Sequence, residues 1–250
     1  MQDAPVILMT GASGGIGAAA ARRCADRGAR IAAHYNRNES RATELVDGLS
    51  GEGHGIFQAD LRQPDQVAEL VTQVISTMGE LNVLVNNAGV SERHDISRID
   101  FDTWQKTWQY VVETNLTGPA NLSFCAMQQM LKQGGGRIVN VSSRGAFRGE
   151  PLMPWYGASK AGLNAMGQSM AQALGPHNIH VFTVAPGFVE TEMARAVLDG
   201  PGGDAIRAQS SMQRVAQPDE VANTISYLAL DAPEWMTGCI IDINGASHLR

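Results

Sequence analysis

The stretch "PVILMTGASGGIGAAAARRCADRG" (residues 5–28) contains three segments of different character in a fixed order. An apolar run (5–10) predicts a buried strand, and an alanine-rich segment (16–28) has the spacing of a helix. Between them, the glycines at positions 11, 15 and 17 allow a tight turn and a close approach of the backbone to a ligand. A helix that begins at such a turn presents its N-terminus to an anion. The order predicts either an anion-binding turn that opens a βαβ unit or simply a tight turn.

The rest of the chain repeats this alternation of short apolar runs and longer helical segments. The helical segments include 64–79 and 160–175, and each ends in glycine, a common helix stop. Continuous apolar strands that alternate with helices predict a parallel sheet covered on both faces. The sequence thus predicts an α/β protein with a single-domain Rossmann fold over residues 1–250, a doubly wound, seven-stranded parallel sheet with helices on both faces. Its strands are expected at 5–10, 30–35, 54–59, 82–87, 137–142, 180–185 and 239–243.

One long segment, residues 188–217, lacks a clear helical or strand pattern and has a Gly/Pro-rich centre. It follows the sixth predicted strand, and ligands of open α/β sheets bind at the carboxyl ends of the strands. We therefore expect an irregular flap over a ligand site rather than a domain boundary.

Composition narrows the functional classes. The chain carries 19 Lys and Arg against 25 Asp and Glu, a net charge of −6, which does not indicate a nucleic-acid groove or a membrane surface. No stretch has the length of a membrane span, and the early first strand leaves no room for a signal peptide. The three cysteines form no Cys-x-x-Cys pair, so we expect reduced thiols in a cytoplasmic protein. The six histidines, His34 among them, lack metal-ligand spacing; we expect no metal and interpret them as structural or surface residues.

The end of the second predicted strand, "AHYNRNE" (33–39), bears on whether a nucleotide bound here would be NAD or NADP. In dinucleotide folds, an acidic residue about 20 positions beyond the glycines holds the ribose 2′-hydroxyl of NAD. Here that position belongs to Tyr35, and Asn36 and Arg37 follow it. No carboxylate would repel a 2′-phosphate and an arginine is adjacent, so we expect NADP in preference to NAD. Alternatively, Arg37 is a solvated residue before a helix.

The stretch "PWYGASKAG" (154–162) places one of the chain's three lysines four residues after a tyrosine. On a helix, Tyr156 and Lys160 would lie on one face, one turn apart. An ammonium beside a phenol favours the phenolate, so we expect the pKa of Tyr156 to lie below its usual value of about 10. The pair predicts an acid catalyst, although the same spacing also occurs on ordinary helices.

In this order, the motifs resemble those of the short-chain dehydrogenase/reductase family along the whole chain. "TGASGGIG" (10–17) is similar to the family's Thr-Gly-x-x-x-Gly-x-Gly loop, "NNAG" (86–89) to its sheet motif and "YGASK" (156–160) to its Tyr-x-x-x-Lys. Ser143 stands thirteen residues before Tyr156, as the family's catalytic serine usually does. The remaining similar segments are "NLTG" (115–118), "APGFVET" (185–191), "RVAQPDEVA" (214–222) and "TGCIIDINGA" (237–246). Among family members, the chain resembles the 3-oxoacyl-acyl-carrier-protein reductases.

The resemblance implies an NAD(P)H-dependent oxidoreductase that transfers hydride between nicotinamide and a carbonyl or secondary alcohol. Tyr156 would be the general acid, or the base in the reverse direction, and Lys160 would lower its pKa and hold the nicotinamide ribose. Ser143 would orient the carbonyl oxygen, with its neighbour Ser142 as the alternative. Asn115, at an expected helix kink, would hold a water that links Lys160 to solvent, or would only satisfy backbone groups.

The resemblance also implies which residues contact the cofactor. Asp60 would contact the adenine, or else be a helix-cap or surface acid. Asn86, Ala88 and Gly89 would lie beside the adenosine ribose, and Thr191 near the nicotinamide carboxamide. The expected cofactor residues are Gly11, Ser13, Gly15, Ile16, Gly17, Tyr35, Asn36, Arg37, Asp60, Leu61, Asn87, Ala88, Gly89, Tyr156, Lys160, Pro186, Gly187, Val189 and Thr191.

Two positions depart from the family's pattern. Gly14 stands where many NADP-using relatives carry Arg or Lys, which weighs against NADP. The ending "NGASHLR" (244–250) replaces the commoner Gly-Gly step and is expected to alter subunit contacts more than chemistry.

Three variable segments are expected to line the substrate pocket, namely 90–95, 144–155 and 188–212. Their arginines at 144, 148 and 195 suggest an anionic or polar tail on an apolar carbonyl compound, with a 3-oxoacyl thioester, a free ketone, a sugar and a polyol all open. The segments also border solvent, so we expect these arginines to be surface groups. The apolar members are Phe147, Leu152, Met153, Trp155, Phe188 and Met193.

Two further expectations concern the assembly of subunits and the alternative that the protein is not an enzyme. The segment "AGLNAMGQSMAQAL" (161–174) has small and apolar residues on more than one face, and relatives form dimers and tetramers through this helix, so we expect a homotetramer. The rival to an enzyme is a nucleotide-binding regulatory or scaffold protein on the same fold. The triad of Ser143, Tyr156 and Lys160 argues against it, because a binding module needs no acid catalyst.

Overall fold

A parallel sheet forms the centre of the protein in a computed structural model that describes residues 4–250. Its strands are β1 (Val6–Met9), β2 (Arg30–Tyr35), β3 (Gly55–Gln58), β4 (Val83–Asn86), β5 (Gly136–Val141), β6 (Ile179–Pro186) and β7 (Ile240–Ile243). All seven lie side by side in the order β3-β2-β1-β4-β5-β6-β7. The predicted α/β class and parallel sheet are confirmed, with each strand end within about one residue of its expected place. The signal-peptide expectation rests partly on residues 1–3, which lie outside the described residues.

Helices connect the strands and cover both faces of the sheet. One face packs against the first, second and last helices, and the other against the third, fifth and seventh. The helices are α1 (Gly15–Ala25), α2 (Glu39–Asp47), α3 (Pro64–Met78), α4 (Phe101–Val112), α5 (Gly118–Gln133), α6 (Gly145–Arg148), α7 (Pro154–Leu174), α8 (Glu192–Leu198), α9 (Gly203–Arg207) and α10 (Pro218–Leu230). A π-helical turn (Glu113–Thr117) joins α4 to α5.

Strand β1 shows how the sequence builds two cores from one sheet. All four of its residues are fully buried. Val6 and Leu8 belong to the core under α3 and α5, whereas Ile7 and Met9 belong to the core under α1 and α10. Successive side chains of a strand point to opposite faces, so a continuous apolar run is required where both faces are covered.

The chain reverses its direction of progress across the sheet at β1. Strands β2 and β3 extend the sheet on one side of β1, and β4 to β7 extend it on the other. The connections that leave β1 and β4 therefore diverge, and a crevice opens between them at the carboxyl ends of the strands. The glycine turn that follows β1 lies at this crevice.

Of the two helix ends predicted at Gly79 and Gly175, the structure confirms the first and contradicts the second. Gly79 ends α3 in the left-handed region (φ 87°), as predicted. Gly175 does not end its helix in that way: its φ is −51°, and it begins a short 3-10 turn. Pro176 fits the first turn of that helix, and Asn178 (φ 58°) supplies the left-handed residue instead.

The segment 188–217 is less irregular than the sequence suggests. It contains α8 and α9, so the expectation of a wholly irregular segment is wrong. Both helices are short, with seven and five residues, and the Gly/Pro-rich stretch between them interrupts the periodicity that would identify them. Within residues 4–250, no helix combines the length and apolarity needed to cross a membrane.

Candidate active site

A cavity of about 590 Å³ opens at the carboxyl ends of the strands, at the crevice beside β1. Its wall includes all but three of the catalytic and cofactor residues expected from the sequence. The exceptions are Gly17 and Asn115, which lie directly behind the wall, and Asn86. Residues from seven separate segments of the chain are thus brought to one place.

The glycine turn forms one end of this cavity. Gly11 and Gly15 have positive φ values of 64° and 54°, which residues with a side chain rarely adopt. A Cβ on Gly17 would lie 2.3 Å from the carbonyl oxygen of Gly11, so glycine here permits the close packing of α1 on the turn. Gly14 precedes α1 and offers no side chain to cap it. The first N–H groups of α1 are therefore available to an anion in the cavity.

His34 fixes the glycine turn to the neighbouring strands. Its Nδ1 accepts a hydrogen bond from the N–H of Gly11 at 3.2 Å, and its Nε2 donates to the carbonyl oxygen of Ala59 at 3.0 Å. The ring is 2% exposed, and burial lowers its pKa to about 4. His34 is thus a neutral structural residue, as expected, but its place in the cavity wall was not anticipated. Its position next to Tyr35, at the end of β2, is the signal that could have revealed it.

The start of the "NNAG" motif is attached to the same turn. The Thr10 hydroxyl accepts hydrogen bonds from the N–H groups of Asn87 (2.8 Å) and Ala88 (3.0 Å). The Asn87 side chain donates to the carbonyl oxygen of Thr10 at 2.8 Å. Asn86 instead points into the core, where its amide donates to Ser123 and Asn140. The expectation that Asn86 lies beside a ribose is wrong, because strand alternation directs it to the opposite face.

Asp60 lies in the cavity wall, but its carboxylate already has a partner. It binds the Arg62 guanidinium, with Oδ2 to Nη2 at 2.5 Å and Oδ1 to Nε at 3.0 Å. These hydrogen bonds with Arg62 hold the pKa of Asp60 below its usual range. Arg62 in turn lies over the ring of Tyr110, 5.3 Å from its centroid. This end of the cavity also includes Tyr35, Asn36 and Arg37, as the sequence predicts.

An ion pair connects the two sides of the cavity mouth. Arg41, in the first turn of α2, binds Glu192, the first residue of α8. A second contact joins Nη2 of Arg41 to Oε1 of Glu192 at 3.3 Å. Both side chains are exposed to solvent. The segment after β6 is thus attached to the segment after β2 from outside.

Tyr156 and Lys160 lie in the first two turns of α7, on its cavity side. The Lys160 Nζ is 5.8 Å from the centroid of the Tyr156 ring and donates to the carbonyl oxygen of Val141 at 2.8 Å. Lys160 is 4% exposed, and burial lowers its pKa to about 8. Burial raises the pKa of Tyr156, and a hydrogen bond with Ser143 only partly opposes this effect. The expected lowering is therefore wrong, because desolvation of the phenolate exceeds the stabilising interactions.

The two adjacent serines have different partners. Ser142 donates its hydroxyl proton to the backbone oxygen of Lys160 at 3.3 Å. The Ser143 hydroxyl accepts the N–H of Gly145 at 3.0 Å and lies close enough to Tyr156 to lower the pKa of that phenol. The geometry therefore favours Ser143 over Ser142 as the hydroxyl that faces a substrate.

Asn115 is fully buried in the π-helical turn, where the sequence predicts a kink. Its side chain forms two hydrogen bonds with the backbone of Val90, at 2.8 and 2.9 Å, and a third with Ser159 at 3.3 Å. The interpretation as a backbone-satisfying residue is thus supported. A Cβ on Gly89 would lie 3.3 Å from Asn115 Oδ1 and 3.4 Å from Lys160 Nζ, so these two polar groups meet behind Gly89.

The predicted substrate segments contribute fewer residues than expected. Phe147, Leu152 and Trp155 do not line the cavity. Trp155 is fully buried, donates to the carbonyl oxygen of Glu92 at 2.9 Å and packs against Trp104. The sequence could not show that α4 covers this side of α7. The lining residues from these segments are Val90, Ser91, Arg93, Arg144, Glu150, Met153, Phe188, Val189, Thr191, Glu192, Met193, Ala194 and Val197.

The arginines of these segments differ in exposure. Arg195 is exposed, as expected, whereas Arg144 is buried, so the expectation of a surface group is wrong for Arg144. Glu150, which the sequence analysis did not single out, lies close enough to Tyr156 for its charge to raise the phenol's pKa.

Comparison with known proteins identifies the family. A short-chain dehydrogenase/reductase model, described as "Enoyl-(Acyl carrier protein) reductase", matches residues 11–248. The chain belongs to the short-chain dehydrogenase/reductase family. This short-chain dehydrogenase/reductase is 33% identical to the 3-oxoacyl-[acyl-carrier-protein] reductase of Staphylococcus epidermidis over 244 residues, which are 97% of this chain and 98% of that protein. It is 32% identical to the Escherichia coli (strain K12) protein of the same name over 247 residues, 99% of this chain and 98% of that one.

A solved structure extends the comparison to three dimensions. The crystal structure of a "putative gluconate dehydrogenase" from Agrobacterium tumefaciens superimposes with a TM-score of 0.90 at 27% sequence identity. The match covers 97% of this chain and 95% of that one. This short-chain dehydrogenase/reductase is an NAD(P)H-dependent oxidoreductase, and the comparisons give no support to a non-enzymatic regulator.

Proposed function

We propose that the enzyme interconverts a ketone and a secondary alcohol in the cavity, with Tyr156 as proton donor and acceptor. The observation that carries this proposal is the meeting of three groups at one wall. The Ser143 hydroxyl lies close enough to the Tyr156 phenol to oppose the rise of its pKa, and the buried Lys160 ammonium lies 5.8 Å from the centroid of the Tyr156 ring. Such a set supplies the proton donor, the hydrogen-bond donor and the positive charge that stabilise a carbonyl oxygen as it gains negative charge.

The shape of the cavity fits a nicotinamide dinucleotide. Gly14 and Gly15 place no side chain at the N-terminus of α1 where it meets the cavity, which suits a pyrophosphate. Pro186 and Gly187 are expected to flank the nicotinamide half. Ala88, Gly89 and the segment from Tyr35 to Arg37 are expected to flank the adenosine half. When bound, the cofactor supplies or accepts the hydride at the substrate carbon.

Reduction needs one proton for the oxygen in addition to that hydride. The carbonyl π electrons move to oxygen as the new C–H bond forms, and the oxygen takes the Tyr156 proton. A phenol whose pKa is raised by burial keeps that proton at neutral pH until the oxyanion develops. Ser143 donates a hydrogen bond to the same oxygen, and the Lys160 charge stabilises the tyrosinate that remains. Oxidation runs through the same groups in reverse.

Asn115 acts in this proposal as a positioning residue. By binding the backbone of Val90, it holds the "NNAG" segment against Lys160. We propose that a water beside Gly89, between Asn115 and Lys160, returns a proton to Tyr156.

We propose NADP as the preferred cofactor. The charge of Asp60 is neutralised by Arg62, and Arg37 lies at the end of β2, so the adenosine half carries an excess of positive charge. A 2′-phosphate would be attracted there. Gly14 is the one feature that weighs against this choice. The ratio of NADPH to NADH affinity measures the preference.

Further proposals concern the organisation of the protein. We propose that residues 1–250 are one domain and that 188–217 closes over the substrate. Exposed small residues on α7 (Ala158, Ala161 and Ala165) and the exposed Phe124 on α5 favour a homotetramer. A solution mass of four times 26.7 kDa would support it. Three unpaired cysteines favour a cytoplasmic location.

The central test is Tyr156→Phe, measured as NADPH oxidation with a panel of ketones. The loss of the donated proton should lower kcat by about 100- to 10,000-fold. Tyr227→Phe, on the outer face of α10, is the matched control and should retain wild-type turnover. Equal rates for wild type and Tyr156→Phe would refute the assignment of the proton donor.

A further inference from the structure

Arg144 is a buried guanidinium in the wall of the active-site cavity. It directly follows Ser143 in the chain and is 3% exposed. Its guanidinium lies over the ring of Phe188, 5.3 Å from the centroid. Both residues line the cavity that contains Tyr156. A charged group in this place needs a reason, since burial of a charge costs free energy unless the charge is paired.

The polar partner of Arg144 is a neutral amide. Its Nη2 donates to Oε1 of Gln209 at 2.5 Å. Arg148 donates to the same oxygen atom through Nη1 at 3.2 Å. Two guanidinium groups thus converge on one uncharged oxygen, a position at which a carboxylate would bind more strongly than an amide.

The positive charge of Arg144 is not neutralised by a carboxylate. Among residues 4–250, no acidic group lies within 4.0 Å of its guanidinium. Glu150 is the nearby acid, but it pairs with Arg148, whose Nε is 3.3 Å from Oε1 of Glu150. Burial lowers the pKa of Arg144 to about 10, so the group remains charged at neutral pH. One uncompensated positive charge therefore remains on this wall.

A second cavity of about 210 Å³ adjoins the other side of Arg144 and Phe188. Its wall contains the carboxylates of Glu220 and Asp242. Both acids are paired, Glu220 with Arg214 and Asp242 with Arg250. Only the active-site cavity also contains Ser143 and Tyr156, so a substrate that contacts Arg144 and reacts at Tyr156 belongs on that side.

We propose that Arg144 binds a carboxylate of the substrate, and that the enzyme therefore acts on oxo acids and the corresponding hydroxy acids. The inference rests on the proposed function. The carboxylate would take the place of the Gln209 oxygen, while the ketone of the same molecule lies between Ser143 and Tyr156. In the reductive direction, the ketone carbon gains a hydride from NAD(P)H and the oxygen gains the Tyr156 proton, which yields a hydroxy acid and NAD(P)⁺. The carboxylate itself is unchanged.

Paired substrates test this assignment through Arg144→Gln. Suitable pairs are 2-oxopentanoate, 4-oxopentanoate and 5-oxohexanoate, each with its methyl ester. The wild type should favour at least one acid over its ester in kcat/KM, because only the acid forms the charge-assisted contact. Arg144→Gln should lower kcat/KM for that acid on the order of 10- to 100-fold and leave the ester almost unchanged. Arg144→Lys should fall between, since it keeps the charge and loses the two-pronged geometry.

Arg22→Gln is the matched control, because Arg22 is an exposed arginine on α1 that lines neither cavity. It should leave the acid-to-ester ratio at the wild-type value. An equal loss on acid and ester in Arg144→Gln would mean that Arg144 only holds the 188–217 segment, and would overturn the proposal. A wild type that favours every ester would overturn it too.

A binding measurement separates this proposal from the proposed function. If the wild type reduces none of the ketones, the melting temperature is measured with NADP⁺ and each oxo acid or ester. Stabilisation of the wild type by an acid alone, absent in Arg144→Gln, would support the carboxylate site even though turnover had failed. Equal stabilisation of both proteins, or of neither, would overturn it.

Discussion

The two ends of the active-site cavity are built differently, one mainly from backbone and the other mainly from side chains. At the glycine turn, the cavity wall is backbone, held by Thr10, His34 and Asn87 through short hydrogen bonds. At the substrate end, the wall is made of long side chains such as Arg144 and Phe188, which contact a segment with only short helices. Under the proposed function, the first end binds the nucleotide cofactor through backbone groups, and the second can change its ligand by side-chain substitution.

The strongest test of the backbone-built end is Gly17→Ala. The added Cβ would lie 2.3 Å from the Gly11 oxygen and 2.5 Å from the Asn87 amide nitrogen, so the turn or α1 must move. We expect a loss of about 1–3 kcal/mol in the free energy of unfolding, together with weaker NADPH binding. Urea unfolding and fluorescence titration with NADPH measure the two effects.

Gly14→Ala is the matched control in the same loop. No atom lies within 4 Å of an added Cβ, and its φ of −177° suits any residue. Its stability should therefore be equal to or slightly above that of the wild type. If both variants unfold at the same urea concentration, close packing at Gly17 does not hold the turn.

His34→Gln tests the link between the turn and the neighbouring strands. Glutamine can replace only part of the two hydrogen bonds, so we expect a loss of about 1 kcal/mol at pH 7. The His34 pKa of about 4 lies below the value of about 6.5 in an unfolded chain, so the unfolded protein binds more protons between these values. The corresponding stability is complete above pH 6.5 and is lost as the pH falls toward 4. The variant should lack this part of the pH dependence.

His177→Gln provides the comparison for that pH series, because His177 is exposed at the far end of α7. Its stability curve should follow that of the wild type from pH 7 to pH 4. Parallel curves for wild type and His34→Gln would show that His34 does not hold the turn as a neutral ring.

The smallest expected effect comes from Gly14→Arg, which adds a side chain to the backbone-built end. The open space around position 14 accommodates it, and its charge would face the adenosine half. We expect the NADPH-to-NADH affinity ratio to rise about two- to fivefold, as for an exposed ion pair. Gly14→Glu should lower the same ratio, and unchanged ratios in both would place the 2′-phosphate elsewhere.

The same division explains what could be predicted from the sequence. Strand positions and the glycine turn follow from local patterns, because an apolar run or a glycine that adopts a positive φ determines the backbone at its own position in the chain. The burial of Arg144 and Trp155 depends instead on residues far away in the chain, Gln209 and Trp104. The raised pKa of Tyr156 was missed for a related reason, because desolvation comes from the whole fold and not from the partner four residues away.

The ion pair between Arg41 and Glu192 would make the rate of cofactor release depend on salt concentration. Both side chains are exposed to solvent at the cavity mouth, where dissolved ions screen their attraction. The Debye length is about 8 Å at physiological ionic strength and shortens as salt is added. If a nucleotide leaves the cavity only when the two sides of the mouth separate, added salt should shorten its residence time. An oxidoreductase limited by this step would turn over faster as ionic strength rises.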